Sequence, residues 1–192
     1  MILSIALGFA MLSTGNDVKG LVCPMTAEEV NSSSQTIDFA GTRFAMCCGG
    51  CPDMFKRDPS AAIKSEKLVG KTFGVFLFDP VSNKRIDDKA AKGGTSDYKG
   101  TRYLFANMAE KEKFDANPKL FVKAPTKEVL YCAVAGEAIK NYAAAGGFVD
   151  VADTRYYMCC PDCLAKFKAN PSEYTAKVTA KVSKPADMDS PK

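Results

Sequence analysis

The chain repeats one pattern three times, and this repetition sets the size of its structural unit. Two aromatic residues and a proline recur at the same distances without a gap, at Phe44, Phe55 and Pro59, then at Tyr103, Phe114 and Pro118, then at Tyr156, Phe167 and Pro171. The unit is about 45 residues long, which is small for an independent hydrophobic core. Units of this size usually rely on a metal ion, on disulfides or on packing against a neighbour.

The repeats divide the chain into three modules with a flanking segment at each end. The modules are predicted at residues 21–64, 72–123 and 127–177. Residues 1–15 begin with an apolar run that is too short for a membrane span of about 20 residues, and they are predicted to be a signal peptide. The polar stretch 178–192 is predicted to be a flexible tail. We therefore expect an exported protein, periplasmic or extracellular, with no stable membrane span after signal removal.

Each module is predicted to contain a β-hairpin followed by a short helix. Tight turns are expected at residues 40–41, 99–100 and 152–153, where glycine or aspartate follows alanine or lysine. The helix after each hairpin should end at an Asp-Pro or Asn-Pro pair, because the residue before proline avoids the helical conformation. The expected fold class is α+β, built from tandem small modules.

Composition narrows the range of functions. The chain has no histidine, so a Ser-His-Asp triad, a Cys-His protease and imidazole metal ligands are all excluded. The net charge of +4 comes from 26 basic and 22 acidic residues that are dispersed along the sequence. Such a small excess does not favour nucleic-acid binding. We expect a protein that is not an enzyme and has no nucleic-acid partner.

The eight cysteines form two groups of four, one in the first module and one in the third. One cysteine opens each module, and three stand where the second hairpin strand becomes the helix. The groups are Cys23, Cys47, Cys48 and Cys51, and Cys132, Cys159, Cys160 and Cys163. Four thiolates suit a soft ion in a tetrahedral site, and a helix N-terminus favours the thiolate form. We predict that all eight cysteines are ligands of a soft metal ion, zinc or copper.

The middle module keeps the aromatic, glycine and proline positions but has no cysteine. At the four aligned positions it carries Asp79, Ala106, Asn107 and Glu110. The same fold can therefore be encoded without cysteines, so the cysteines are not simply core residues. We expect the middle module to be a structural spacer or a contact for homo-oligomers, with Asp79 and Glu110 as solvated surface carboxylates.

Several motifs together resemble the YHS/TRASH family of small metal-binding modules. They are the opening Cys23-Pro24, a Gly-Thr-Arg-aromatic strand at residues 41–44, a Met-Cys-Cys-x-x-Cys junction at residues 46–51, and Phe55 before Asp58-Pro59. The resemblance covers most of residues 21–177. It implies a treble-clef-like zinc-finger fold and a role in metal sensing, copper trafficking or metal transport.

The resemblance also implies which thiols bind the metal. The family signature maps onto Cys23, Cys47 and Cys51, and onto Cys132, Cys159 and Cys163. Many members open with a CxxC pair, whereas this chain has Thr26 or Ala135 at the second position. Its gaps between the first two signature cysteines, 23 and 26 residues, are also longer than the family pattern. Cys48 and Cys160 are therefore either the missing fourth ligands or free thiols.

We predict that the protein binds metal in buffering, trafficking or resistance, with a protein partner for metal transfer. Two alternatives to this function stay open. An exported protein could pair its thiols as disulfides, or hold a purely structural zinc, and act only through protein interactions. The pairs Cys48–Cys51 and Cys160–Cys163 are also CxxC motifs at a helix start, as in thiol-disulfide oxidoreductases. No βαβ pattern surrounds them, which disfavours that second alternative.

Overall fold

The computed structural model describes residues 19–185 and the backbone of residues 187–189. This part of the chain is α+β, as the sequence predicts. The predicted signal peptide at residues 1–15 lies outside the described residues.

The helices and strands follow the order of the three repeats. The strands are β1 Gln35–Phe39, β2 Thr42–Met46, β3 Gly74–Phe76, β4 Gly94–Tyr98, β5 Thr101–Phe105, β6 Lys127–Val129, β7 Tyr131–Cys132, β8 Glu137–Ala138, β9 Gly147–Val151, β10 Thr154–Met158 and β11 Asp187–Asp189. The helices are α1 Cys51–Arg57, α2 Pro59–Ala62, α3 Met108–Ala116, α4 Pro161–Ala169 and α5 Pro171–Lys177. Short 3-10 turns lie at Glu66–Leu68, Pro118–Leu120, Tyr142–Ala144 and Thr179–Lys181.

Each module contains an antiparallel hairpin followed by a helix. The hairpins are β1–β2, β4–β5 and β9–β10, and each pairs five residues on either strand. Helices α1, α3 and α4 follow them and end at residues 57, 116 and 169, just before the Asp-Pro or Asn-Pro pairs. The first residue of each tight turn has a positive φ, at Ala40, Lys99 and Ala152. In the first two hairpins the next residue is a glycine with positive φ, which is typical of type I′ turns.

A bidentate ion pair crosses each hairpin at the same place. An aspartate on the first strand lies directly opposite an arginine on the second, in the pairs Asp38–Arg43, Asp97–Arg102 and Asp150–Arg155. In each pair Nε and Nη2 of the arginine donate to the two carboxylate oxygens at 2.8 to 3.0 Å. This parallel fork fixes the strand register, because a shift by one residue would separate the two charges. The pair is a second mark of the repeat that sequence analysis overlooked.

Strand β3 joins the first two modules into one sheet. It pairs antiparallel with β2 of the first module and parallel with β5 of the middle one. The resulting strand order is β11-β1-β2-β3-β5-β4. The third module has a separate sheet of order β6-β10-β9, and β7 and β8 form a small hairpin of their own.

The hydrophobic core also crosses the module boundaries. The residues expected to face the core behind each hairpin, Phe55, Phe114 and Phe167, are all buried. Phe78 of the middle module contacts Phe148 and Tyr157 of the third, with ring centroids 5.3 and 5.7 Å apart. The modules therefore pack against one another and share a hydrophobic core, because a unit of this size is too small to form a sufficient core alone.

The predicted flexible tail differs from the structure over its first residues. Val178 is buried in the core shared by the middle and third modules. Ser183 forms an antiparallel bridge with Glu128, and strand β11 pairs with β1. The polar composition of residues 178–192 predicted a flexible tail because it gave no sign that Val178 is buried or that the segment pairs with strand edges elsewhere in the fold. Residues 186 and 190–192 lie outside the described residues.

Candidate metal centres

Two cysteine groups converge in space, and we name them by their place in the chain. The N-terminal cluster is Cys23, Cys47, Cys48 and Cys51, and the C-terminal cluster is Cys132, Cys159, Cys160 and Cys163. In the first, the Sγ atoms of Cys23, Cys47 and Cys51 all lie within 4.8 Å of one another. In the second, the same holds for Cys132, Cys159 and Cys163.

The local fold explains why cysteines that are far apart in sequence meet. Cys23 lies in a tight turn, where its amide donates to Glu28 and its carbonyl accepts from the amide of Ala27. Cys47 follows β2 directly, and Cys51 is the first residue of α1. The hairpin thus returns the chain to the opening turn, and the helix start supplies the third thiol. Cys132, at the end of β7, occupies the corresponding turn in the third module.

The spacing of the sulfur atoms fits a soft metal ion. Four sulfurs bound at about 2.3 Å in a tetrahedron lie about 3.8 Å apart. In the N-terminal cluster the Sγ atoms of Cys47 and Cys51 are 3.6 Å apart. In the C-terminal cluster Cys159 Sγ is 3.5 Å from that of Cys132 and 3.7 Å from that of Cys163. Each group of three can therefore enclose one ion with little movement.

The remaining cysteine of each cluster lies at its rim. Cys48 is exposed, and its Sγ is 3.0 Å from that of Cys51. Cys160 is half-buried and caps the N-terminus of α4, where its Sγ accepts from the amide of Cys163 at 3.4 Å. The structure thus brings six of the eight predicted ligands into two groups of three and places the other two beside them. A ligand role for Cys48 and Cys160 stays a prediction.

Hydrogen bonds in the opening turn favour the thiolate of Cys23. Burial of this side chain raises its pKa, but the amides of Cys47, Met25 and Thr26 donate to its sulfur and lower the pKa by more. The pKa of the Cys48 thiol is also lowered, by the Cys51 thiol and by the amides at the helix start.

The other two thiols of the N-terminal cluster hold their protons more firmly. Burial and the hydrogen bonds to the neighbouring sulfurs raise the pKa of Cys51. The Thr26 hydroxyl lowers the pKa of Cys47, but burial and the Cys23 sulfur together raise it by more. An approaching cation would therefore meet two sulfurs that favour the thiolate and would displace protons from the other two.

The C-terminal cluster also has two thiols with a lowered pKa and two with a raised pKa. Burial raises the pKa of Cys132, but the amides of Cys159 and Ala135 outweigh this effect and lower it. The Cys160 thiol has a lowered pKa because the amide and the thiol of Cys163 donate to it. Burial raises the pKa of Cys163 to about 11, and burial also raises that of Cys159. The match between two separate clusters indicates that the repeated fold sets the thiol chemistry.

Two neighbours of the thiols were missed in the sequence. Thr26 stands where a CxxC pair would have its second cysteine, and its hydroxyl oxygen lies 3.2 Å from Cys47 Sγ. Glu137, on β8, forms a hydrogen bond that helps to raise the pKa of Cys159. The Cys-x-x-Thr spacing was a usable signal for Thr26. Glu137 gave none, since only the β7–β8 hairpin brings it to the cluster.

The middle module has a carboxylate where the other two have a thiolate. Asp79 is buried, and its oxygens accept from the amides of Val81, Ser82 and Ala106 at 2.8 to 3.2 Å. These amides correspond in the repeat to the ones that bond the sulfurs of Cys23 and Cys132. The expectation that Asp79 is a solvated surface group is therefore wrong, because the three amides hold it inside the turn.

Glu110 takes the position of Cys51 and Cys163 beside this carboxylate. Burial and a hydrogen bond with Asp79 raise its pKa, and Asn107 donates from its side-chain amide to Glu110 at 3.0 Å. The middle module therefore places two carboxyl groups side by side at the end of its turn. The other two modules have thiol sulfurs at the corresponding positions.

All eight cysteines are free thiols in the structure. Within residues 19–185 and 187–189, no helix has the length and apolar character that a membrane crossing requires. No family model, curated protein or solved structure matches this chain. The candidate function therefore depends on the geometry of the two clusters.

Proposed function

We propose that the protein binds one soft transition-metal ion, zinc or copper, in each cysteine cluster and stores or delivers it without turning over a substrate. The observation that carries the proposal is the convergence of three thiol sulfurs within 4.8 Å at two places in the chain. Sulfur ligands at this spacing select soft ions, and the absence of histidine leaves thiolates as the strongest ligands available. Buffering, delivery and resistance are the roles that such a protein can serve.

The arrangement of each module supports a treble-clef-like fold of the YHS/TRASH type as part of this proposal. An opening turn gives the first ligand, a hairpin follows, and the start of a helix gives the others. The amides of the opening turn donate to the sulfurs of Cys23 and Cys132. The corresponding amides bond Asp79 in the middle module, so this turn occurs three times.

The middle module also supports metal as cargo over metal as structural support. It keeps its hairpin, helix and buried Phe114 with no thiols at all. A framework that forms around a carboxylate does not need an ion to fold. We propose that the ions at the other two modules are exchangeable, and that an exported chain of this kind passes them to a protein partner.

Elemental analysis combined with thiol counting tests the proposal. The intact protein should contain two equivalents of zinc or copper, and its eight cysteines should resist alkylation until it is denatured with a chelator. Removal of Cys23 and Cys51 by substitution with serine should reduce the metal content to one equivalent. Metal-free protein whose thiols become available only after treatment with a reductant would contradict the proposal and favour disulfides.

A second candidate function has one observation in its favour. The Sγ atoms of Cys48 and Cys51 are 3.0 Å apart within a Cys-Gly-Gly-Cys sequence at the start of α1, which is the setting of a redox-active pair. A thiol-disulfide oxidoreductase would reduce the disulfides of insulin in the presence of dithiothreitol faster than dithiothreitol alone. A rate equal to the background would remove this candidate.

A further inference from the structure

The two clusters differ in how firmly the rim cysteine and its loop are held. In the C-terminal cluster the helix begins early, at Pro161, so that Cys160 is its N-cap and Cys163 lies within its first turn. In the N-terminal cluster the helix begins two positions later in the repeat, at Cys51 itself. Its N-cap is Gly50, which makes no side-chain hydrogen bond to the helix. The rim thiol Cys48 therefore stands outside the helix.

The sequence between the paired cysteines explains this difference. Cys160 and Cys163 are separated by Pro161 and Asp162, and proline at the first helical position starts a helix well. Cys48 and Cys51 are separated by Gly49 and Gly50, which have the largest backbone freedom and disfavour helix. The N-terminal cluster thus has a loosely held loop where the C-terminal cluster has a helix turn.

The surroundings of the two loops differ in the same direction. A Cβ atom added at Gly146 would lie 2.6 Å from the Cα of Cys160, so the chain before β9 packs directly against that cysteine. Gly146 also donates from its amide to the carbonyl of Met158 at 2.7 Å. At Gly49 and Gly50 no atom outside the neighbouring residues lies within 4 Å of the Cβ position. The rim cysteine Cys160 is thus partly covered by the chain before β9, whereas Cys48 is exposed.

The helix that follows Cys48 also carries an exposed soft side chain. Met54, one helical turn after Cys51, is 51% exposed, although methionine is normally a core residue. The aligned residue after Cys163 is Lys166, whose positive charge disfavours an approaching metal cation. Thioether sulfur is a ligand for cuprous copper. The N-terminal cluster therefore has an exposed thiol before the helix and an exposed thioether in its first turn.

We infer that the N-terminal cluster is the exchange site, through which metal enters and leaves by way of Cys48, and that the C-terminal cluster retains its ion. This inference rests on the proposed function and adds a division of work between the clusters. The partner it fits is a donor or acceptor that presents its own sulfur ligands, since such a group can share the ion with Cys48 during transfer. The oxidation state of the ion does not change in the exchange: metal–sulfur bonds break in one protein and form in the other, and the thiols that lose the ion take up protons from water.

The test measures how fast each cluster gives up a bound ion. The full chain is loaded anaerobically with two equivalents of cuprous ion and mixed with an excess of bathocuproine disulfonate, whose cuprous complex is followed by its absorbance. We expect two phases of equal amplitude, and the faster phase should be lost in the C23S/C51S variant. The slower phase should be lost in the C132S/C163S variant.

Exchange of the two loops tests the cause of the difference. The variant G49P/G50D gives the N-terminal cluster the loop sequence of the C-terminal one, and it should slow the fast phase about tenfold. Neither glycine has a positive φ, so a left-handed backbone does not exclude a side chain at either position. The reverse variant P161G/D162G should accelerate the slow phase. It tests the effect of the loop independently if the first variant does not fold.

The outcomes separate this inference from the proposed function. If the chain takes up no cuprous ion, the proposed function fails and the inference fails with it. If two ions bind but leave at one rate, or if the fast phase belongs to the C-terminal cluster, metal binding stands and the division of work is wrong. Loss of the fast phase in C23S/C51S together with the effects of the loop exchange supports it.

Discussion

The middle module and its two cysteine-bearing neighbours solve the same structural problem with different anions. In the middle module the amides of an opening turn and of the hairpin end bond the carboxylate of Asp79. In the neighbours the corresponding amides bond the sulfurs of Cys23 and Cys132. The difference teaches that this turn requires a buried acceptor of negative charge and does not require a metal ion. The turn alone therefore does not explain why two of the modules carry thiols.

The largest effect is expected when the middle module is converted into its neighbours. The triple variant D79C/A106C/E110C places thiols at the positions of Cys23, Cys47 and Cys51, and it should raise the metal content from two equivalents to three. Metal binding by cysteine sites is worth on the order of 10 kcal/mol, so the added site should be readily detected in a zinc titration. The control D79N/A106S/E110Q should still bind two. If the triple variant folds but binds only two equivalents of metal, the three modules do not share one ligand geometry.

Removal of the buried carboxylate tests the middle module itself. The variant D79A leaves three turn amides without their acceptor, and we expect a loss of about 3–5 kcal/mol in the free energy of unfolding. D79N keeps a carbonyl oxygen and should lose less. Urea denaturation measures both. A change below about 0.5 kcal/mol in D79A would show that the turn does not depend on its anion.

The metal affinity of the two cysteine clusters should depend on pH. Two thiols per cluster have a raised pKa, Cys47 with Cys51 and Cys159 with Cys163, so around neutral pH they keep their protons until a metal displaces them. Affinity should therefore rise with pH, by about 100-fold per unit if both protons leave. An indicator dye in weak buffer should record at least two protons released for each zinc ion bound. Release of none would contradict the assignment of these protons.

The smallest effect concerns the titration of Glu110 in the middle module. Its raised pKa means that the folded state favours the protonated form, so the contribution of this group to stability is present at low pH and is lost as pH rises through the folded pKa. Glutamine imitates the protonated form at every pH. Because Glu110 is only partly buried and solvent screens its interactions, we expect E110Q to add no more than about 0.5 kcal/mol at neutral pH and to flatten this decline, as measured by urea denaturation at several pH values. The exposed neighbour Glu112, changed to glutamine, is the matched control.

Much of this architecture was predictable because the repeat encodes it locally. The hairpins, the helix ends at the proline pairs and the buried Phe55, Phe114 and Phe167 follow from turn chemistry and spacing. The convergence of Cys23 with Cys47 and Cys51 followed from the same pattern, since the hairpin must return the chain to its opening turn.

Long-range pairing was not predictable from one sequence. Strand β3 bridges two modules, and Phe78 packs across the boundary to Phe148, but neither contact leaves a periodic mark. Burial of Asp79 was missed because a carboxylate is usually solvated, and only the three amides around it reverse that preference. The packing of Val178 was hidden in the same way by the polar residues around it.

The most direct test of the central claim is to remove the metal and ask whether the fold remains. The full chain, reduced and treated with a strong chelator, should keep its circular dichroism spectrum and a cooperative thermal transition, and it should regain two equivalents of zinc when the chelator is removed. The account predicts this because the middle module keeps the same turn, hairpin and helix with Asp79 in place of a thiolate. Unfolding of the chain on loss of metal would contradict it and would make the ions structural.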